Sequence, residues 1–251
     1  MLRLCLDESF NERAICMGGW LASRRVWCRI AQKWLGEIEC QNLLSLRLGL
    51  PRISRYHAAD CASLHGEFEG WDEERQISFS KHLIGIIAKH KPFGMAFGAS
   101  LEDYAAVFPE LSEHQQRIQC YKFCADRCFN ELALVMQRCF PNEGVVVFHD
   151  SGDFVAPAFE AFRHYETNPQ FVSFAPLPWR RCPAMQPADL LAYEGVKLAD
   201  RRLQGDEYIR KSMQAIMGEQ VPMSVAYIRR GAFQEVMDRM VATGEGLRGT
   251  V

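Results

Sequence analysis

The segment GVVVFHDSGDF, residues 144–154, runs from four apolar positions into His149, Asp150 and Asp153. A charge at the end of a buried strand is unfavourable unless a cation, a proton or a hydrogen-bond partner meets it. LRLCLDES, residues 2–9, ends the same way, on Asp7 and Glu8. Side chains alternate along a strand, so Arg3, Cys5 and Asp7 share one face, and Val146, Phe148 and Asp150 share another. In open α/β sheets ligands collect beyond the carboxyl ends of strands, so parallel pairing of these two segments would set Asp7 beside Asp150. Two such carboxylates repel unless one is protonated or a cation lies between them. Magnesium or manganese, hard and oxygen-seeking, suits the pair. A third acid, Asp189, interrupts the apolar run of Ala188, Leu190, Leu191, Ala192 and Tyr193. Each acid also has an ordinary explanation. Asp189 in the first turn of a helix gains about 0.3–1 kcal/mol from the helix dipole, and Asp7 and Asp150 are common turn residues.

The surrounding pattern predicts what carries these acids. Residues 2–7 and 13–20 read as strands joined by a polar turn, ESFNE. Val26, Ile30, Trp34 and Ile38 recur one turn apart in a helix over 23–47, with Ser23 as its cap and Gly49 and Pro51 as its stop. An irregular polar stretch, 52–72, precedes a helix over 73–90 and a strand over 92–100 that two glycines weaken. A long helix over 113–140, a strand over 144–150, a helix over 154–166 and a strand over 170–175 follow. The last core helix begins near Gln186, with Pro187 in its first turn. Residues 205–251 read as helical and polar, fraying at the glycine-rich GEGLRGT. This order predicts an α/β fold, a mixed five-stranded sheet with helices on both faces. The core spans 1–204 with a helical insertion near 23–90, and 205–251 is a helical extension of the same domain.

With 251 residues, 48% hydrophobic and 24% charged, the chain can bury one sizeable core. A net charge of −2 excludes a global basic field, so a nucleic-acid partner has to meet a local patch. Arg24-Arg25, Arg180-Arg181, Arg201-Arg202 and Arg229-Arg230 are the basic pairs; the second follows Trp179, whose ring is a sequence-tolerant surface for a base. No apolar run is long enough for a membrane span, and no charged-then-apolar leader opens the chain; the expected setting is the cytoplasm. None of the ten cysteines forms a CxxC pair. Cys120, Cys124 and Cys128 stack on one helix face, and we read them as packed thiols of a reduced protein rather than a metal or redox cluster. His149, by alternation, points away from Asp150 and reads as a buried, hydrogen-bonded histidine. Trp20, Trp27, Trp34, Met213, Met217, Met237 and Met240 read mostly as core, or as an interface if the chain is a partner subunit.

Four blocks, LDESFNERAICMGGWLA, YHAADCASLHGEFEGW, VVVFHDSGD and MQPADLLAY, resemble the signature blocks of the domain of unknown function 3800 family, over residues 1–203. The resemblance implies a ribonuclease H-like fold and a divalent-metal-dependent nuclease acting on DNA or RNA, of a kind found in phage defence and mobile elements. It implies Asp7, Asp150 and Asp189 as ligands of Mg2+ or Mn2+, with Glu8 reaching the same mouth. His57 and Asp60 fall in the family's His-x-x-Asp block, and His57 is the candidate for proton transfer or substrate contact. Gln186 matches the glutamine before the helix aspartate and, with Trp179, Arg180 and Arg181, completes the expected substrate-binding set. Phe10 departs from the pattern, standing where the family usually has glycine. A further carboxylate is expected from the long helix, with Asp126 and Glu131 as candidates. Two other readings remain, a catalytically silent partner or scaffold subunit of a defence or toxin complex, and a nucleotide phosphohydrolase. The nuclease reading requires residues 7, 150 and 189 to converge around a cation rather than be neutralised by arginine or lysine.

Overall fold

β1 (Leu2–Phe10) and β2 (Ala14–Ser23) form an antiparallel hairpin in a computed structural model that describes residues 1–243. The GEGLRGT segment and the Met240 side chain lie outside the described residues. β1 is longer than the predicted 2–7. Asn11, not the preceding acids, makes the turn, its Oδ1 accepting from the N–H groups of Arg13 (2.9 Å) and Ala14 (2.8 Å). Asp7 and Glu8 are therefore strand residues and not a hairpin corner.

The sheet order is β5-β4-β1-β2-β3-β6. β4 (Val145–His149) runs parallel to β1, and β5 (Phe171–Pro176) parallel to β4. β3 (Phe93–Ser100) is antiparallel to β2 despite its glycines. The sheet has six strands, not five. β6 (Met223–Ile228) pairs parallel with β3 and comes from the stretch expected to be wholly helical. Its MSVAYI sequence sits at a sheet edge where only Ile228 is buried, so no clean alternation of apolar and polar residues marks it.

Helices cover both faces of the sheet. α1 (Arg24–Leu48), α2 (Ala58–Ser63), α3 (Glu73–His90), α7 (Met185–Leu203) and α8 (Lys211–Gly218) pack on the face that takes Cys5. α4 (Leu101–Val107), α5 (Glu113–Cys139), α6 (Val155–Arg163) and α9 (Arg230–Thr243) cover the face that takes Leu2, Leu4 and Leu6. Ser23 caps α1 by accepting from Val26 N–H, as expected. Cys120, Cys124 and Cys128 are buried between α5 and the sheet, and all ten cysteines are free. Trp20, Trp27, Trp34 and Met213 are core residues, while Met217 is exposed.

One packing relationship sets the site. α7 lies against β1, β2 and β3. A Cβ added at Gly18 would stand 2.5 Å from the Ala192 backbone, and one at Gly195 2.5 Å from Cys16 Sγ. Helix and sheet meet with no room for a side chain between them, which fixes the height of α7 over the carboxyl end of β1. Among the described residues no helix is long and apolar enough to cross a membrane.

Candidate active site

Leu6 pairs with His149 across β1 and β4, and Asp150 N–H donates to the Leu6 carbonyl at 3.0 Å. Asp7 and Asp150 thus leave neighbouring parallel strands side by side, as the alternation predicted. His149 turns to the opposite face and is fully buried, with Nε2 2.6 Å from Tyr121 Oη and Nδ1 2.7 Å from the Asp150 carbonyl oxygen. Burial depresses its pKa to about 4, so it is a neutral core residue that braces the end of β4.

Asp189 arrives from α7. That helix begins at Met185, one turn earlier, so the dipole of a first turn does not explain the acid. Ala58 N–H, at the start of α2, donates to Asp189 Oδ2 at 2.7 Å. Gln186 Oε1 accepts from Trp34 Nε1 (3.1 Å) and from Tyr56 N–H (2.8 Å). Gln186 therefore pins the 55–58 segment over α7, and its carbonyl is committed to that task rather than free for a substrate. Trp179 N–H holds Asp150 Oδ1 at 3.1 Å, and Glu8 N–H holds Asp7 Oδ1 at 2.9 Å. Each aspartate is anchored through one oxygen by the backbone.

These side chains line a single cleft of about 310 Å3 that includes Asp7, Glu8, Asp150, Asp189, His57, Trp179 and Gln186. Asp7 is only 9% exposed. Burial, and then the charges of Asp189, Glu8 and Asp150, push its pKa well above the carboxylate range. Burial and Asp150 lift Glu8 to about 7. Burial also raises Asp150 and Asp189, against opposing backbone hydrogen bonds and Arg55, with His57 a further opposing charge at Asp189. Glu8 Oε2 is buried without a hydrogen-bond partner.

An all-oxygen set with an orphaned, buried carboxylate oxygen fits a hard divalent cation. Among the described residues, however, no group of three or more His, Cys, Asp or Glu side chains is placed as a finished metal-binding set. Arg55 and His57 face the acids instead. The expectation that only a cation could answer the shared charge is corrected to this extent, since an arginine answers part of it.

The remaining candidates separate clearly. His57 precedes α2, lines the cleft and stands with Nδ1 2.9 Å from Asp60 Oδ2. Trp179 carries the Arg55 guanidinium 4.5 Å and the Arg180 guanidinium 5.3 Å from its ring centre. Arg180 and Arg181 are exposed and do not line the cleft. Asp126 pairs with His164 (3.3 Å), and Glu131 accepts from Ser224 Oγ (2.6 Å). Neither lines the cleft, so α5 supplies no carboxylate there. Arg55 and Phe10 do line it. Arg55 has no periodic or motif signal in the polar stretch that holds it, whereas Phe10 was marked by its departure from glycine.

The second strand of this mixed sheet is reversed, its first and fourth strands are parallel neighbours, and the acids gather at the carboxyl ends of those two, in an α/β fold with helices on both faces. No family model and no curated protein matches the sequence, so the family resemblance stands on the quoted blocks alone. Among solved structures the chain is similar to one described as Bst-RNase HIII in complex with Mn2+, at 11% identity and a TM-score of 0.41. That match covers 82% of this chain and 56% of the other, so this chain spans little more than half the length of that protein.

Proposed function

We propose that the chain is a divalent-metal-dependent nuclease that hydrolyses phosphodiester bonds in DNA or RNA. The observation that carries this reading is the gathering of Asp7, Glu8, Asp150 and Asp189 in one cleft, where burial raises all four pKa values and neighbouring acids add to the rise at Asp7, Glu8 and Asp189. Asp7, Asp150 and Asp189, with Glu8 beside them, would hold Mg2+ or Mn2+. When bound, such an ion supplies a polarised water and charge neutralisation at phosphorus. Arg55, which lines the same cleft, would meet a phosphate at its mouth. His57, which lines the cleft, would exchange a proton with the attacking or leaving oxygen. Trp179 and the exposed Arg180 and Arg181 extend the surface along which a strand would run. A cytoplasmic setting accords with ten free cysteines.

One observation favours a second reading. Arg55 and His57 already face the acids, as they would in a catalytically silent partner or scaffold subunit that binds no ion. Incubating wild type and Asp150→Asn with single- and double-stranded DNA and RNA, under magnesium, manganese or EDTA, separates the two. Metal-dependent products that vanish in the variant support the nuclease. No products from any substrate support the silent subunit.

A further inference from the structure

We propose that the cleft takes an unpaired nucleic-acid strand, gripped by two aromatic–arginine platforms from different layers, Trp179 with Arg55 and Phe10 with Arg117. The chemistry at the strand rests on the nuclease reading above; the binding does not. Phe10 ends β1 and is 47% exposed on the cleft wall, although it is a large apolar ring. It packs beside Phe154 at 5.5 Å, on the α5 and α6 side of the sheet. Arg117, from α5, places its guanidinium 5.0 Å from the Phe10 ring centre, and its Nε is buried without a hydrogen-bond partner. Trp179 packs against the opposite core, the one that holds α1 and α7, with Arg55 over its ring. The two platforms therefore belong to different layers, and both rings line the cleft that holds the carboxylates.

An accessible ring stacks a base of any identity, and an adjacent arginine meets the phosphate that follows. Within a duplex both faces of each base are already covered by neighbours, so such platforms recognise only strands whose bases can leave the stack. The cleft, at about 310 Å3, has the volume of a site for one small ligand, on the scale of a single unstacked nucleotide.

The molecule carries its own reporter. Of its five tryptophans, Trp20, Trp27, Trp34 and Trp71 are buried, and only Trp179 lines the cleft. In EDTA, short single-stranded DNA and RNA oligonucleotides are expected to quench tryptophan fluorescence saturably, and the matching duplexes to do so much more weakly. Trp179→Phe should abolish the quench. Phe10→Ala should weaken binding of labelled single strands, read by anisotropy, about tenfold, the scale of one lost base stack. Phe10→Tyr should restore it. Equal or tighter binding of duplex, no quench by single strands, or unchanged affinity in Phe10→Ala would overturn the proposal. Quenching by single strands with no cleavage under any metal would leave the platforms standing and remove the nuclease. Cleavage confined to duplex would do the reverse.

Discussion

Asp7 and Asp150 stand side by side on adjacent parallel strands, locked in register by the 3.0 Å hydrogen bond from Asp150 N–H to the carbonyl of Leu6. Nothing about the fold requires two carboxylates there, and the charge of Asp150 adds to the burial that raises the proton affinity of Asp7. Asp7→Asn removes that repulsion while keeping the shape of the side chain. In EDTA near neutral pH it should raise the melting temperature, by about 2–4 °C for each kcal/mol relieved. It should also lower metal-dependent cleavage by at least about 100-fold. Thermal unfolding and a cleavage assay on the same preparation check both; a variant less stable than wild type would count against a site strained by its own charge.

Glu8 makes the stability of the metal-free protein pH-dependent. Its carboxyl rises from 4.5 to about 7 on folding, so between those values the folded chain keeps a proton that the unfolded chain has lost. Its share of the stability is therefore fully present below about pH 4.5 and declines as pH rises toward 7. Asp7, raised in the same direction, adds to the decline. Unfolding midpoints measured across this range in EDTA should fall with pH, and Glu8→Gln should flatten the curve. Magnesium should flatten it too, and its binding should release protons, visible by calorimetry in buffers of different ionisation enthalpy.

Arg55 opposes the raised pKa values of Asp150 and Asp189, so it competes with any cation for the same oxygens. Arg55→Gln should bind Mn2+ about tenfold more tightly, the order of one charge interaction across a partly buried site, while its affinity for nucleic acid falls. Titration calorimetry with Mn2+ alone reads the first effect. If Arg55 is instead the permanent counter-ion of a silent subunit, the variant will bind no ion and will only lose stability.

Gly18 tests how α7 is seated. A Cβ there meets backbone atoms of Ala192 at 2.5 Å, and backbone cannot rotate out of the way. Gly18→Ala should destabilise the fold by about 1–3 kcal/mol as α7 lifts, and cleavage should drop as Asp189 moves with it. Gly36, in α1, has nothing within 4 Å of an added Cβ. Gly36→Ala should stabilise by about 0.5–1 kcal/mol and leave cleavage intact. Denaturant unfolding of the two variants provides the comparison.

Much of this site could be read along the chain because its signals are local. Alternation in two strands put Asp7 and Asp150 on the ends they occupy and turned His149 inward, and helical spacing buried the α5 thiols. Ser23 capped its helix for the same reason, since its partner Val26 is three residues away. β6 escaped because an edge strand with one buried residue has almost no periodicity to betray it. The turn after β1 was misplaced because polar residues mark both turns and active sites.

Alternation and helical spacing, signals shared between near neighbours, located most of the elements and the acids at their ends, β6 excepted. Only the tertiary structure decided what faces those acids. The 131-residue separation between Ala58 and Asp189 is bridged by a 2.7 Å hydrogen bond, and the placement of Arg55 over Trp179 and of Arg117 over Phe10 leaves no trace in local pattern. Charges act through space at a few ångströms, and which of them come that close is settled by how the layers pack, not by where residues fall along the chain.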